Sequence, residues 1–177
     1  MLTLSLLRHA KAAVGDAGMK DFDRPLAERG VATATLMGAY LAREGLQPDF
    51  VLASPSARTR STCGLVFAAM PNPPEIRYED VLYLASPRTL LGRIRRTPPE
   101  VRHLMLIGHN PGLQTLALEL VATGSGKPPG KPLADLGAKL PTAGLVVLTF
   151  DHPAWTATGA QTAALARFVT PRGLAVQ

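Results

Sequence analysis

Three short stretches of this chain carry residue types that can handle a phosphoryl group: Arg8-His9, Ser54-Pro55-Ser56-Ala57-Arg58 and Gly108-His109-Asn110-Pro111. Each follows a largely apolar run that reads as a buried strand, so each histidine or arginine sits where a strand gives way to what comes next. Parallel sheets place their ligand-handling groups at those strand ends. An imidazole offers a nucleophilic nitrogen, and a guanidinium offers a planar fork that grips phosphate oxygens in pairs. A lone histidine at a strand end more often serves structure. An Arg-His pair after a buried run is harder to explain that way, because a buried cation needs an anion.

The arginine-bearing stretch continues to Thr59-Arg60. On a helix, Arg58 and Arg60 lie about 200° apart, so both cannot enter one pocket. The helix start itself favours an anion, and the guanidinium adds a bidentate clamp. His103 lies six residues before His109 on the same strand, roughly 20 Å away at about 3.3 Å per residue, too far to share its pocket. His152 follows the last expected strand near a turn and is expected at the surface.

The elements that must position these groups alternate. Strand-like segments are Thr3–Leu7, Phe50–Ala53, Arg77–Leu82, His103–Ile107 and Leu145–Phe150, each β-branched or leucine-rich. A helix is expected from Pro25 to Glu44, with proline in its first turn and Gly45 at its end. A second opens with Ser54 as N-cap and Pro55 as its first residue and runs to about Ala69. A third follows Ser86-Pro87, and a fourth follows Asn110-Pro111 to about Val121. Alternation of this kind predicts an α/β fold: one three-layer domain spanning residues 1–177, with a mostly parallel central sheet flanked by helices. Residues 124–141 hold four prolines and four glycines and read as a surface loop within that domain.

Composition narrows the classes. A chain of 177 residues with 46% hydrophobic content is one domain long and can bury a full core. No uncharged run is long enough to cross a bilayer, and Met1–Leu7 lacks the basic start of a signal peptide. Cys63 is the only cysteine, so an intrachain disulfide is excluded and a reducing, cytoplasmic setting is expected; Cys63 itself reads as a small core residue. The formal charge of +6 favours anionic partners. With aromatics at only 5%, binding of single-stranded nucleic acid by base stacking is disfavoured. The run Arg93, Arg95 and Arg96 reads as a solvated helix face rather than a binding patch.

Taken in order, Leu7-Arg8-His9-Ala10-Lys11, Asp23-Arg24-Pro25-Leu26 followed by Gly30, Ser54-Pro55 with Arg58 and Thr62, and Gly108-His109-Asn110-Pro111 resemble the histidine phosphatase superfamily. The likeness is to its short SixA-like branch of phosphohistidine phosphatases. It extends through Pro141-Thr142-Ala143-Gly144, Trp155 and Phe168-Val169-Thr170-Pro171, nearly the whole chain. The resemblance implies a phosphoglycerate mutase-like fold, His9 as nucleophile, Arg8 and Arg58 as phosphate clamps and His109 as the second pocket histidine, with no metal and no cofactor. It implies a phosphorylated protein or a small phosphorylated compound as partner, neither nucleic acid nor membrane, and a monomer is expected.

Two departures from the family pattern stand out. Ser61 replaces a common glutamine before Thr62, a packing difference. Many members carry a carboxylate general acid after the third strand, commonly as Glu-Gly, where this chain reads Tyr78-Glu79-Asp80-Val81. Glu79 and Asp80 are therefore the candidate acids, against the plainer reading of both as exposed edge residues. A weak acid disfavours alkyl phosphates, whose alkoxide leaves poorly, and suits the labile P–N bond of phosphohistidine. Lys11 and Arg24 are candidate substrate contacts, although Arg24 could equally pair with Asp21 or Asp23. The alternatives to a protein phosphohistidine phosphatase are a phosphatase of a small metabolite and a phosphate-binding regulatory module without turnover.

Overall fold

A six-stranded sheet forms the centre of the computed structural model, which describes residues 1–123 and 130–175. The strands are β1 (Leu2–Arg8), β2 (Phe50–Ala53), β3 (Glu75–Tyr78), β4 (His103–Gly108), β5 (Leu145–Phe150) and β6 (Ala163–Val169). Their order is β3-β2-β4-β1-β5-β6. The pairs β3–β2, β2–β4 and β4–β1 are parallel, whereas β5 runs antiparallel to both β1 and β6. The sheet is therefore mixed but mostly parallel, as the alternation of elements predicts.

Helices α1 (Glu28–Arg43), α2 (Ala57–Phe67), α3 (Pro87–Ile94), α4 (Gly112–Leu120), α5 (Lys131–Ala138) and α6 (Pro171–Leu174) complete the fold. Successive side chains of a strand point to opposite faces, and β4 shows the consequence. Leu104 and Leu106 join a core with Leu90 and Ile94 of α3, Leu113 and Leu116 of α4 and Leu136 of α5. Met105 and Ile107 join a second core with Met37 and Leu41 of α1 and Cys63 and Val66 of α2. Strands buried on both faces read as continuous apolar runs, which is why β1, β2, β4 and β5 stand out in the sequence.

The differences from expectation are local. β3 lies at Glu75–Tyr78 rather than Arg77–Leu82, because the chain turns into a 3-10 segment at Asp80–Leu82. β6 adds to the expected strands: it is an edge strand rich in alanine, with Arg167 reaching out to Glu44 and the Tyr40 hydroxyl. The expected loop at 124–141 is corrected in its second half. Residues 131–138 form α5, anchored by the fully buried Leu136, while 124–129 lie outside the described residues. α2 starts at Ala57 with Ser56 in the N-cap position, two residues later than expected, because Ser54 is drawn into the site described below. His152 is half-buried against the Phe150 ring rather than at the surface. Cys63 is a buried core thiol, as expected.

Candidate active site

The registers of β1, β4 and β2 bring the three motifs together. Arg8 pairs with Gly108 and Ala53 with Ile107, so His9, His109 and Ser54 emerge side by side at the carboxyl ends of adjacent strands. The His9 and His109 ring centroids are 5.1 Å apart. The backbone knits this edge closed: His9 N–H donates to the Gly108 carbonyl at 3.0 Å, and Ser54 N–H to that of Ile107 at 3.1 Å. Gly30 lets α1 approach the loop after His9, since a Cβ there would collide with the Lys11 carbonyl.

Hydrogen bonding sets the tautomer of His9. Its Nδ1 lies 2.7 Å from the Ala10 carbonyl oxygen, which can only accept, so the proton sits on Nδ1. Nε2 is left with its lone pair, and Arg58 Nε donates toward it at 3.4 Å. His9 is only 8% exposed, and burial, with Arg58, Arg8 and Arg24 adding positive charge, pushes its pKa down to about 4. The ring is neutral at pH 7. His109 is likewise depressed, to about 3, first by burial and then by His9 and Arg58. Arg58 Nη2 donates toward its Nδ1 at 3.4 Å, so Nε2–H donates to Ser54 Oγ at 2.7 Å.

Arg58, 3% exposed, is the hub of the pocket. It stands in the first turn of α2, and Thr62 Oγ1 links that turn to the nucleophile loop by donating to the Arg58 carbonyl and accepting from Ala10 N–H. Arg60 leaves the pocket and lies 4.0 Å over the Tyr78 ring, as the helical spacing requires. Arg8 lines the same pocket, with Nη1 donating to the Leu140 carbonyl at 2.9 Å. Its buried Nε has no partner among the described residues. An unmet buried donor costs about 1–3 kcal/mol, which an acceptor such as a phosphate oxygen can relieve.

The pocket, about 380 Å³, is lined by Arg8, His9, Arg24, Arg58 and His109, with Lys11 at its mouth. Arg24 donates to the Asp21 carboxylate at 3.0 Å and to the Ala13 carbonyl, so of its two expected acidic partners it takes Asp21. Glu79 and Asp80 do not line the pocket. Glu79 is engaged by Arg93, whose Nε and Nη2 donate to its oxygens at 2.7–3.0 Å, and Asp80 is exposed in the turn that follows. Arg93 is buried and held by the Glu79 carboxylate, which corrects the expected solvated face at that position, while Arg95 and Arg96 are exposed and Arg95 donates to the Thr158 carbonyl.

Sequence reasoning offered Asp21 only as a possible partner of Arg24, and passed over Tyr83. The chain from Ala12 to Leu26 folds back on itself through a bridge between those two residues and delivers Asp21 to the pocket. Its carboxylate accepts from the Tyr83 hydroxyl at 2.6 Å, Arg58 at 2.9 Å and Arg24 at 3.0 Å. Those donors hold its pKa well below the usual carboxylate range, the Tyr83 bond first. A carboxylate so held is an anion near neutrality and has no proton to give. Asp23, two residues on, has no side-chain partner among the described residues, and only the loop's folding separates the two.

Glu79→Gln is therefore expected to destabilise the protein by about 1–3 kcal/mol, by uncoupling the largely buried Arg93, while turnover stays within about twofold. Urea unfolding and steady-state kinetics read the two effects separately. A hundredfold loss of turnover at unchanged stability would return Glu79 to the chemistry. Asp80→Asn should change neither.

Among the described residues, no cluster of three or more His, Cys, Asp or Glu side chains is placed to hold a metal, and no helix is long and apolar enough to cross a membrane. A family model for the histidine phosphatase superfamily, branch 1, matches residues 4–81. An uncharacterized protein of Mycobacterium tuberculosis is 35% identical over 167 residues, covering 94% of this chain and all of the relative. The crystal structure of a candidate phosphohistidine phosphatase SixA from Agrobacterium tumefaciens is 34% identical, covers 96% of this chain and 98% of its own, and superposes with a TM-score of 0.78. A second candidate SixA, from Nakamurella multipartitia, is 29% identical, with 96% of both chains covered and a TM-score of 0.81.

Proposed function

The chain belongs to the histidine phosphatase superfamily, with SixA-like relatives, and from that membership we propose a phosphatase that forms a covalent phosphohistidine on His9 and acts on phosphohistidine in proteins. The observation that carries the reading is His9 itself: buried, neutral at pH 7, its proton fixed on Nδ1 and its Nε2 lone pair facing Arg58, with the charge of Arg8 nearby.

In the first step the Nε2 lone pair forms the new N–P bond while the bond from phosphorus to the substrate's ring nitrogen breaks, its electron pair leaving with that ring. Arg58 and Arg8 meet the negative equatorial oxygens, and His109 completes the pocket wall. Nδ1–H stays on the Ala10 carbonyl, which steadies the positive charge that the phosphorylated ring carries. In the second step water attacks phosphorus and the His9 ring departs neutral. Lys11 stands at the mouth as a contact for incoming phosphate oxygens, and Arg24 holds Asp21.

The proton inventory supports a P–N substrate. Asp21 is ionised, His109 is neutral with its proton committed to Ser54, and Glu79 is tied to Arg93. An alkoxide leaving group needs a strong acid beside it. A phosphorylated imidazole does not, because its far nitrogen picks up a proton near neutral pH and the ring then leaves neutral. A small phosphorylated metabolite with an alcohol leaving group is the second reading.

The test is phosphate release from a protein phosphorylated on histidine with phosphoramidate, against release from glycerol 3-phosphate, both in EDTA. The histidine-phosphorylated protein is expected to be turned over at least about a hundredfold faster, an effect of the missing acid on the order of general acid catalysis itself. Preference for the glycerol ester would shift the substrate to small metabolites. Loss of activity in EDTA would overturn the metal-free mechanism.

A further inference from the structure

Beside the phosphoryl pocket lies a second, larger groove of about 1140 Å³ that shares Arg8, Lys11 and Thr142 with it. The groove runs from the pocket mouth between the first turns of α1, the segment joining α5 to β5, and α6. Arg29, Lys139 and Arg172 line it in addition to Arg8 and Lys11. None of these five cations has a carboxylate within ion-pair distance among the described residues. Among the described residues the one acid on the groove, Asp135, is paired with Lys131 at its rim.

Several arginines elsewhere are put to use within the fold. Arg93 and Arg167 hold carboxylates, Arg95 and Arg102 donate to carbonyls, and Arg60 covers a tyrosine ring. Arg29 is also locally unfavourable, because it stands in the first turn of α1, where the helix dipole disfavours a cation by about 0.3–1 kcal/mol. Local stability therefore explains neither its place nor the crowding of like charges around it. A single phosphoryl group is met by Arg8 and Arg58 in the pocket and has no need of Arg29, Lys139 or Arg172. The volume exceeds the roughly 300–1,000 Å³ of small-molecule sites, and half-buried Phe168 and Pro171 give the floor an apolar component, as in surfaces that seat polypeptide.

We propose that this groove docks an acidic segment of the protein that carries the phosphohistidine. The phosphoryl group enters the His9 pocket, and carboxylates neighbouring it along the partner chain meet Lys11, Arg29, Lys139 and Arg172. The inference rests on the reading of the site as a phosphatase for protein phosphohistidine. Concentrated positive potential at one mouth steers such a partner and orients it, which supplies selectivity that a small, open phosphoryl pocket lacks.

The experiment uses two phosphohistidine peptides, identical except for four flanking glutamates in one and four glutamines in the other, with phosphoramidate as the small substrate. The glutamate peptide is expected to show at least about tenfold higher kcat/KM at low salt, an advantage that shrinks in 0.5 M NaCl as screening predicts. In the triple variant Arg29→Glu, Lys139→Glu, Arg172→Glu the advantage should vanish, while phosphoramidate hydrolysis changes by less than about twofold. Fluorescence anisotropy with the unphosphorylated glutamate peptide reads the groove without any chemistry, and its binding should likewise be lost in the triple variant. Equal kcat/KM for the two peptides, or no salt-sensitive binding to the native protein, would overturn the docking proposal and leave the catalytic reading standing. Binding of the glutamate peptide without hydrolysis of either phosphorylated substrate would sustain the groove and overturn the catalytic reading. Cleavage of tripolyphosphate that depends on the same three cations, with no peptide preference, would assign the groove to a small polyanion instead.

Discussion

His9→Ala is expected to lower turnover by about 10⁴-fold or more, as loss of a covalent nucleophile does elsewhere, and to abolish an acid-labile, base-stable phosphoenzyme that the native protein forms. The geometry sets His9 apart from the other histidines near β4. His109 lies beside His9, 5.1 Å between ring centres, but its Nε2–H is committed to Ser54 and its Nδ1 faces the Arg58 guanidinium. Its Nδ1 meets Arg58 at the same 3.4 Å as the His9 Nε2 does, but its N–H is tied to a serine hydroxyl rather than to a backbone carbonyl that would steady a phosphorylated ring. His103 sits at the opposite end of β4, bonded to Ser5 Oγ at 2.8 Å and close to the Gln47 carbonyl. Rapid quench with phosphorus-labelled substrate, followed by acid and base treatment, measures the intermediate. Normal turnover in His9→Ala would sink the nucleophile assignment. Retained phosphoenzyme at reduced turnover would move the covalent centre to another residue.

Arg58→Ala should cost about 10³-fold in kcat/KM, in the range of a single charged donor that meets a phosphoryl transition state. Arg58→Lys should recover little of it, because one ammonium cannot donate at once toward His9, His109 and the Asp21 carboxylate as the forked guanidinium does. The same substitution carries a second, independent signal. Positive charge at Arg58 is one of the causes holding the His9 pKa down to about 4, after burial. Removing it raises that pKa toward its ordinary value near 6.5, so the variant's His9 ring should titrate at a higher pH by NMR. The sign for stability follows. A histidine depressed when folded binds its proton more readily when unfolded, so its contribution is complete above about 6.5 and is lost as pH falls toward 4; in Arg58→Ala that window narrows. An unshifted His9 titration would show that Arg58 does not act on the nucleophile at all.

The strands buried on both faces were legible almost to the residue, since β1, β2, β4 and β5 are unbroken apolar runs. β6 was not, because its run Ala163-Ala164-Leu165-Ala166 is mostly alanine, a residue depleted in strands, and lies at the sheet edge. α5 was masked by its prolines and glycines, and it is the fully buried Leu136 that fastens it to the core. The four pocket residues Arg8, His9, Arg58 and His109 could be singled out because each closes or follows such a run. Asp21 could not. It is one of several acids in a polar loop, and its place depends on the Ala12–Leu26 bridge and on Tyr83, far along the chain.

What the sequence determined by itself, then, is local: which apolar runs end in Arg-His, in Ser-Pro and in Gly-His, and that Arg58 and Arg60 must part company. These follow from spacing along one strand or one turn of helix, where neighbours in the chain set the geometry. Tertiary structure alone decided the rest. Sheet order and register put His9 against His109, gave Glu79 to Arg93 rather than to the chemistry, and turned Asp21 into the partner of Arg58. It also drew Arg29, Lys139 and Arg172 from three separate segments to the rim of one groove. Such pairings join groups tens of residues apart, and only the packing of the sheet and its helices chooses among the many partners that composition allows.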